Sequence, residues 1–193
     1  MSQDKNHITL LPDMNRRRLL KVGLLVSLVC LNPLPAWARS GLYGADERSL
    51  SLLNTHTGES LQKVVYWEQG SYVPDALEHL NHVLRDHRTD EVHSIDPITL
   101  DLMAAISRKV NVKRPFEIIS GYRSSQTNQA LRKISPGVAK NSYHMQGKAV
   151  DLRLPGVPLK VLRKAALELR MGGVGYYPRS NFVHIDSGKV RTW

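Results

Sequence analysis

The chain has 193 residues, enough for one domain plus a leader, and its 41% hydrophobic and 23% charged content is ordinary for a soluble globular protein. A formal net charge of +10 points to an anionic partner, whether nucleic acid, a membrane surface or an acidic polymer, and does not choose among them. Cys30 is the sole cysteine and lies in the leader, so disulfides, a thiol nucleophile and a Cys-based zinc site are excluded for the mature chain; any metal there needs His, Asp or Glu.

The leader comes first. Arg16-Arg17-Arg18-Leu19-Leu20-Lys21 precedes an apolar run from Val22 to Leu31, and Pro35-Ala36-Trp37-Ala38 follows with small residues at a cleavage spacing. This is the pattern of an export signal, and the adjacent arginines resemble a twin-arginine signal. The apolar run is too short for a membrane anchor, since a spanning helix needs about 20 residues. Val29 before Cys30 is bulkier than a lipidation site usually takes. We expect residues 1–38 to be a twin-arginine-type signal peptide cut after Ala38, residues 39–47 a linker, and residues 48–193 the functional domain. The leader holds five of the 27 basic and two of the 17 acidic residues, which leaves 22 against 15, or +7. Export argues against nucleic acid and for an extracytoplasmic acidic polymer or an anionic membrane surface.

In the domain, Arg48 to Asn54 and Glu59 to Trp67 flank the turn Thr55-His56-Thr57-Gly58, which predicts a hairpin. Pro74 to Arg88 carries Leu77, Leu80 and Leu84 at helical spacing with Pro74 at a first helical position. His79, His82 and His87 fall here among charged residues without a carboxylate motif, and read as surface residues rather than ligands. Asp96 as N-cap and Pro97 after it open a second helix through about Val110. Arg114 to Ser120 reads as a buried strand, Ser124-Ser125-Gln126-Thr127 can cap a short helix running to Lys133, and Ser135 to Ser142 is a loop. Lys148 to Leu154 alternates as a strand. Pro158 to Arg170 is a basic amphipathic helix ended by Gly172-Gly173. Val174 to Tyr177 and Phe182 to Asp186 make two more strands. The expected fold is a single small α+β domain with an antiparallel sheet and packed helices.

Polar residues interrupt these runs at three places: Ser120 to Arg123, Ser142 to Asp151 and Phe182 to Asp186. A catalytic zinc site takes three protein ligands and leaves a fourth position to water. The turn at Gly147 can bring His144 and Asp151 together. In a strand, His184 faces away from Val183 and Ile185, so it joins them if the two strands are neighbours. Taken singly, each of these residues also fits a satisfied core histidine, a capping carboxylate or an ion pair. The spacing alone leaves both readings open.

Ser142, His144, Gly147, Ala149 and Asp151 match S-x-H-x-x-G-x-A-x-D, and Ser120, Gly121 and Arg123 match S-G-x-R. Both motifs resemble those of the M15-type zinc D-Ala-D-Ala peptidases, and nearly all of residues 48–193 is similar to their DUF882 branch. The resemblance implies the small α+β fold shared with hedgehog signalling domains. It implies one zinc ion per chain held by His144, Asp151 and His184. Arg123 would stabilise the oxyanion, and peptidoglycan stem peptides would be the substrate in the periplasm. Nucleic acid would not be a partner, and the mature protein would have no membrane span. Asn181 and Phe182 stand where many M15 enzymes carry a proton-accepting Glu or His. That leaves the general base open. Asp186 is the candidate; its competing roles are orienting His184 or forming a structural ion pair, and Asp151 could share the proton transfer. Arg123 could instead be a structural ion pair. Two other function classes remain: a peptidoglycan-binding protein that keeps the zinc site without turnover, and an anion binder suggested by charge alone.

Overall fold

The computed structural model describes residues 47–193 apart from Pro136; the expected signal peptide and all but the last residue of the linker lie outside the described residues. Eight strands form one sheet in the order β3-β2-β1-β4-β5-β7-β6-β8. The hairpin is β1 (Glu47–Asn54) and β2 (Ser60–Glu68), and the remaining strands are β3 (Ser71–Tyr72), β4 (Phe116–Ser120), β5 (Ala149–Arg153), β6 (Gly173–Tyr177), β7 (Phe182–Asp186) and β8 (Arg191–Thr192). The helices are α1 (Pro74–Val83), α2 (Pro97–Val110), α3 (Ser125–Ile134) and α4 (Leu159–Leu169). Among the described residues no helix is long and apolar enough to cross a membrane.

The α+β class holds, with a mixed rather than purely antiparallel sheet. β1 pairs with β4, and β6 with β8, in parallel; the other pairings are antiparallel. The chain between β1 and β4 runs through β2, β3, α1 and α2 before returning to pair with β1, and sequence patterning does not reveal which strands such a connection joins. β3 and β8, two residues each, are too short for an alternation signal.

Alternation along the central strands separates core from site. Phe116 and Ile118 on β4, Val150 and Leu152 on β5, and Val183 and Ile185 on β7 join one buried cluster with Leu100, Met103 and Ile106 of α2 and Leu162 and Ala166 of α4. Burying each large aliphatic side chain contributes roughly 1.5–3 kcal/mol. Asp151 and His184 alternate with these apolar residues and so project from the opposite face.

The helix ends are set by named groups. The Asp96 carboxylate accepts from Ile98 N–H at 3.0 Å and caps α2 as expected. The first helix stops at Val83 rather than running to Arg88. The Asn54 side-chain amide takes the Val83 carbonyl at 2.9 Å, and Tyr122 N–H takes the Leu84 carbonyl at 2.7 Å. The buried Asp86 carboxylate then accepts from Arg88 N–H at 3.0 Å and Ser124 N–H at 2.8 Å. Leucine spacing carries no trace of these tertiary competitors.

Candidate metal centre

The strand order decides the site. β5 and β7 are antiparallel neighbours, and Asp151 sits opposite His184 in their register. His144 arrives from a 3-10 turn, Tyr143–Gln146, whose N-terminus is capped by Ser142 and whose C-terminus is Gly147. Gly147 has φ +65°, and a Cβ there would collide with the Ser94 carbonyl, so glycine alone lets the chain turn from His144 into β5. Arg123 N–H donates to the His144 carbonyl at 3.2 Å and ties the Ser120–Arg123 segment to the same turn.

Three donor atoms converge. His184 Nδ1 lies 2.8 Å from Asp151 Oδ1 and 3.2 Å from His144 Nε2, and His144 Nε2 lies 3.3 Å from Asp151 Oδ1. All three residues are buried. The outer ring nitrogens fix the tautomers. His144 Nδ1 faces the Gly121 carbonyl at 2.7 Å and His184 Nε2 faces Asp186 Oδ2 at 3.1 Å; both oxygens can only accept, so both nitrogens carry hydrogen. The inner nitrogens are therefore left with lone pairs aimed at each other and at a carboxylate.

Only a cation resolves that arrangement: a proton on one ring or a metal ion among the three. Ligands about 2.0–2.1 Å from a tetrahedral zinc stand roughly 3.3 Å apart, close to two of the three observed separations. The electrostatics have the same sign. Burial works against a charge on His184, yet Asp151 and Asp186 outweigh it and raise its pKa to about 9. Burial would raise the Asp151 carboxyl, but His144 and His184 hold it well below the usual carboxylate range. His79, His82 and His87 join no group of three metal donors among the described residues; His82 faces Glu59 at 3.4 Å, and His87 stacks on His56.

A cleft of about 440 Å³ opens over the cluster, walled by residues 137–139, Asn141 and Ser142 and by Tyr177, Phe182 and Trp193. Arg123 reaches it with a nearly buried guanidinium whose contacts are long: Nη1 to Asn128 Oδ1 and Nη2 to Ser120 Oγ, both at 3.4 Å, and Nη2 to Asp151 Oδ2 at 3.8 Å. Arg123 Nε is buried without a protein acceptor.

The family model for the peptidoglycan L,D-endopeptidase MepK, of the M15_2 peptidases, matches residues 42–193. The chain belongs to this family. Over 181 residues it is 46% identical to the peptidoglycan L,D-endopeptidase MepK of Escherichia coli (strain K12), a stretch that spans 94% of this chain and 98% of that one. The protein of the same name from Shigella flexneri gives the same figures. A probable peptidoglycan L,D-endopeptidase MepK of Haemophilus influenzae is 41% identical over 182 residues, 94% of this chain and 96% of the relative. Membership makes the chain a peptidase and implies use of a metal ion, which the three buried donors could hold.

The structure brings all five expected site residues to one place. It adds groups that sequence reading missed: the Gly121 carbonyl behind His144, Asn128 beside Arg123, and Arg191 and Trp193 beyond β7. Only Gly121 had a sequence signal, in the Ser-Gly-x-Arg motif. Arg191 follows Asp186 by five residues with no periodicity to mark the pairing.

Proposed function

We propose that the chain is an exported zinc endopeptidase that hydrolyses peptide cross-links of peptidoglycan, with His144, Asp151 and His184 as the metal ligands. The observation that carries this reading is the convergence of three lone-pair donors within 3.3 Å, two of them imidazoles whose outer N–H groups are already committed. The relatives' names support the bond class: a cross-link in which an L centre meets a D centre. In this reading residues 1–38 are a twin-arginine-type signal, 39–47 a linker and 48–193 the peptidase domain, which acts in the periplasm on peptidoglycan stem peptides.

A zinc ion bound here would act as a Lewis acid on the scissile carbonyl and lower the pKa of water at the open position. The chain's own residues do the rest. The carbonyl of Gly121 and the carboxylate of Asp186 hold the two imidazoles in the required tautomers. Arg123, with its long contacts and unpaired Nε, is free to strengthen its hydrogen bonds onto the carbonyl oxygen as negative charge develops there. Loss of such a donor costs about 10²–10³-fold in kcat, the effect expected for Arg123→Met.

Asp186 fits the orienting role better than that of general base. It has no exposed surface, and both of its oxygens are taken by protein donors. Asp151 Oδ2, facing Arg123 across 3.8 Å on the cleft side, is the remaining carboxylate oxygen suited to receive the proton.

A second reading rests on Phe182, which stacks on Tyr177 at 4.7 Å in the position where many M15 enzymes carry their base. A protein that binds the wall without turning it over would tolerate that residue. Digestion of cross-linked muropeptide dimers decides between the readings. The zinc-loaded protein should release monomers and its His144→Ala variant should not; intact dimers with bound protein would favour the second.

A further inference from the structure

Residues 187–193 turn back from the end of β7 and lay β8 along β6, held by Trp193 N–H to the Val174 carbonyl at 3.3 Å and Tyr176 N–H to the Trp193 carbonyl at 3.0 Å. This strap delivers Arg191 to Asp186. The contact is a two-point fork: Nη1 to Oδ1 at 3.0 Å and Nη2 to Oδ2 at 2.7 Å. Such bidentate pairs fix geometry as well as charge. Oδ1 also accepts from Gly188 N–H at 2.8 Å and Gly173 N–H at 3.3 Å, which leaves Oδ2 for His184 Nε2 at 3.1 Å.

The guanidinium is itself clamped. It lies 5.2 Å from the Tyr143 ring and 4.8 Å from the Trp193 ring. Cations over aromatic faces are attracted by the ring quadrupole. Tyr143 directly precedes His144, so one side chain bridges the segments that carry both histidines. Room has been cleared for it. A Cβ on Gly173 would strike Arg191 Nη1 and Asp186 Oδ2, and a Cβ on Gly188 would come within 2.8 Å of Asp186 Oδ1 and 2.7 Å of the Tyr143 ring. The Asp186 end of the pair is completely buried while the Arg191 end reaches solvent, so removing the cation leaves a buried carboxylate anchored at Oδ1 by Gly188 and Gly173 N–H, with Oδ2 no longer fixed toward His184 by the fork.

We propose that Arg191 is a positioning residue of the metal centre: acting through Asp186, it fixes the ring and tautomer of His184 and thereby sets how tightly a divalent ion is held. The proposal rests on His184 being a ligand. It assigns to the strap a task that none of the family's motif residues performs.

The test is zinc affinity of the full exported protein, measured by competition with a chromophoric chelator, beside urea unfolding of the chelated form. Arg191→Met should bind zinc about 10–100-fold more weakly. Arg191→Lys, which restores charge without the fork, should recover only part of that loss and covers the case in which Arg191→Met fails to fold. The Asp186→Asn/Arg191→Met pair should bind no more weakly than Asp186→Asn alone, because one change already breaks the path. The visible spectrum of the cobalt-loaded Arg191→Met protein should also change. Unaltered zinc affinity in both Arg191 variants, or losses that add in the double variant, would overturn the proposal. So would a loss of urea stability with affinity intact, the mark of a merely structural ion pair. A wild-type protein that binds no divalent ion would overturn the ligand reading beneath it, so the two failures are distinguishable.

Discussion

Two buried carboxylates in this protein sit in opposite surroundings. Asp101 on α2 and Asp151 on β5 are almost equally buried, at 8% and 7% exposure, so burial does not distinguish them. Asp101 is met by donors: Arg48 Nη1 at 2.8 Å, Tyr66 OH at 3.0 Å and Tyr72 OH at 3.1 Å. Those contacts close a network that fastens β1, β2 and β3 to α2. Asp151 is met by two imidazole nitrogens whose hydrogens point elsewhere. The first arrangement is complete and stabilises the fold. The second turns ring nitrogens toward a carboxylate, so it needs a cation, a proton on His184 or a metal ion, and that demand is what makes it a site.

Substitutions should separate the two networks. The largest effect belongs to Asp151→Ala, which should lower the initial rate of muropeptide cleavage by at least ~10³-fold, equivalent to about 4 kcal/mol of barrier. Urea unfolding of its chelated form should show that it still folds. Asp101→Ala should do the reverse. Removing the Asp101 carboxylate from beside buried Arg48 should cost about 3–5 kcal/mol in urea unfolding, while zinc content per folded chain stays that of the wild type. If Asp101→Ala lost zinc selectively, the division between structural and functional carboxylates would fail.

Zinc addition sharpens the contrast. At a free concentration 100 times Kd, zinc should stabilise the wild-type protein by about 2.7 kcal/mol and raise its melting temperature, and it should leave Asp151→Ala unmoved. The metal-free protein should depend on pH in its own way. The His184 pKa is raised from 6.5 to about 9, so protonated His184 stabilises the fold. That contribution is fully present below pH 6.5 and is lost as pH rises through about 9, a decline on the order of 3 kcal/mol. Saturating zinc should flatten this slope, because the metal replaces the proton. The smallest effect belongs to the closed network: Tyr72→Phe removes one partly exposed hydrogen bond to a carboxylate and should cost about 1.5 kcal/mol or less, with the cleavage rate unchanged.

The networks also differ in how visible they were beforehand. His144, Gly147 and Asp151 fall within eight residues, and a fixed-spacing motif could carry them. His184 was placed by alternation, because Val183 and Ile185 beside it are plainly core residues. The Asp101 network had no such signal: Arg48, Tyr66 and Tyr72 are scattered along two strands and a fragment, and each is an ordinary residue in its segment. Arg191 was equally silent, since its partner is defined by the path of residues 187–193 and not by any periodic pattern.

Local chemistry written in the sequence determined which residues carry hydrophobic alternation, that Asp96 caps one helix and the stretch Ser124 to Thr127 opens another, and which imidazoles and carboxylates were candidates for metal. These depend on neighbours a few positions away, and so they are readable one segment at a time. Tertiary structure alone decided that β5 lies between β4 and β7, that α1 stops at Val83, and that Asp186 faces His184 and Arg191 with no oxygen left for water. Each of those outcomes is a competition among groups distant along the chain for the same hydrogen bond or the same space, and only the folded packing determines which group wins.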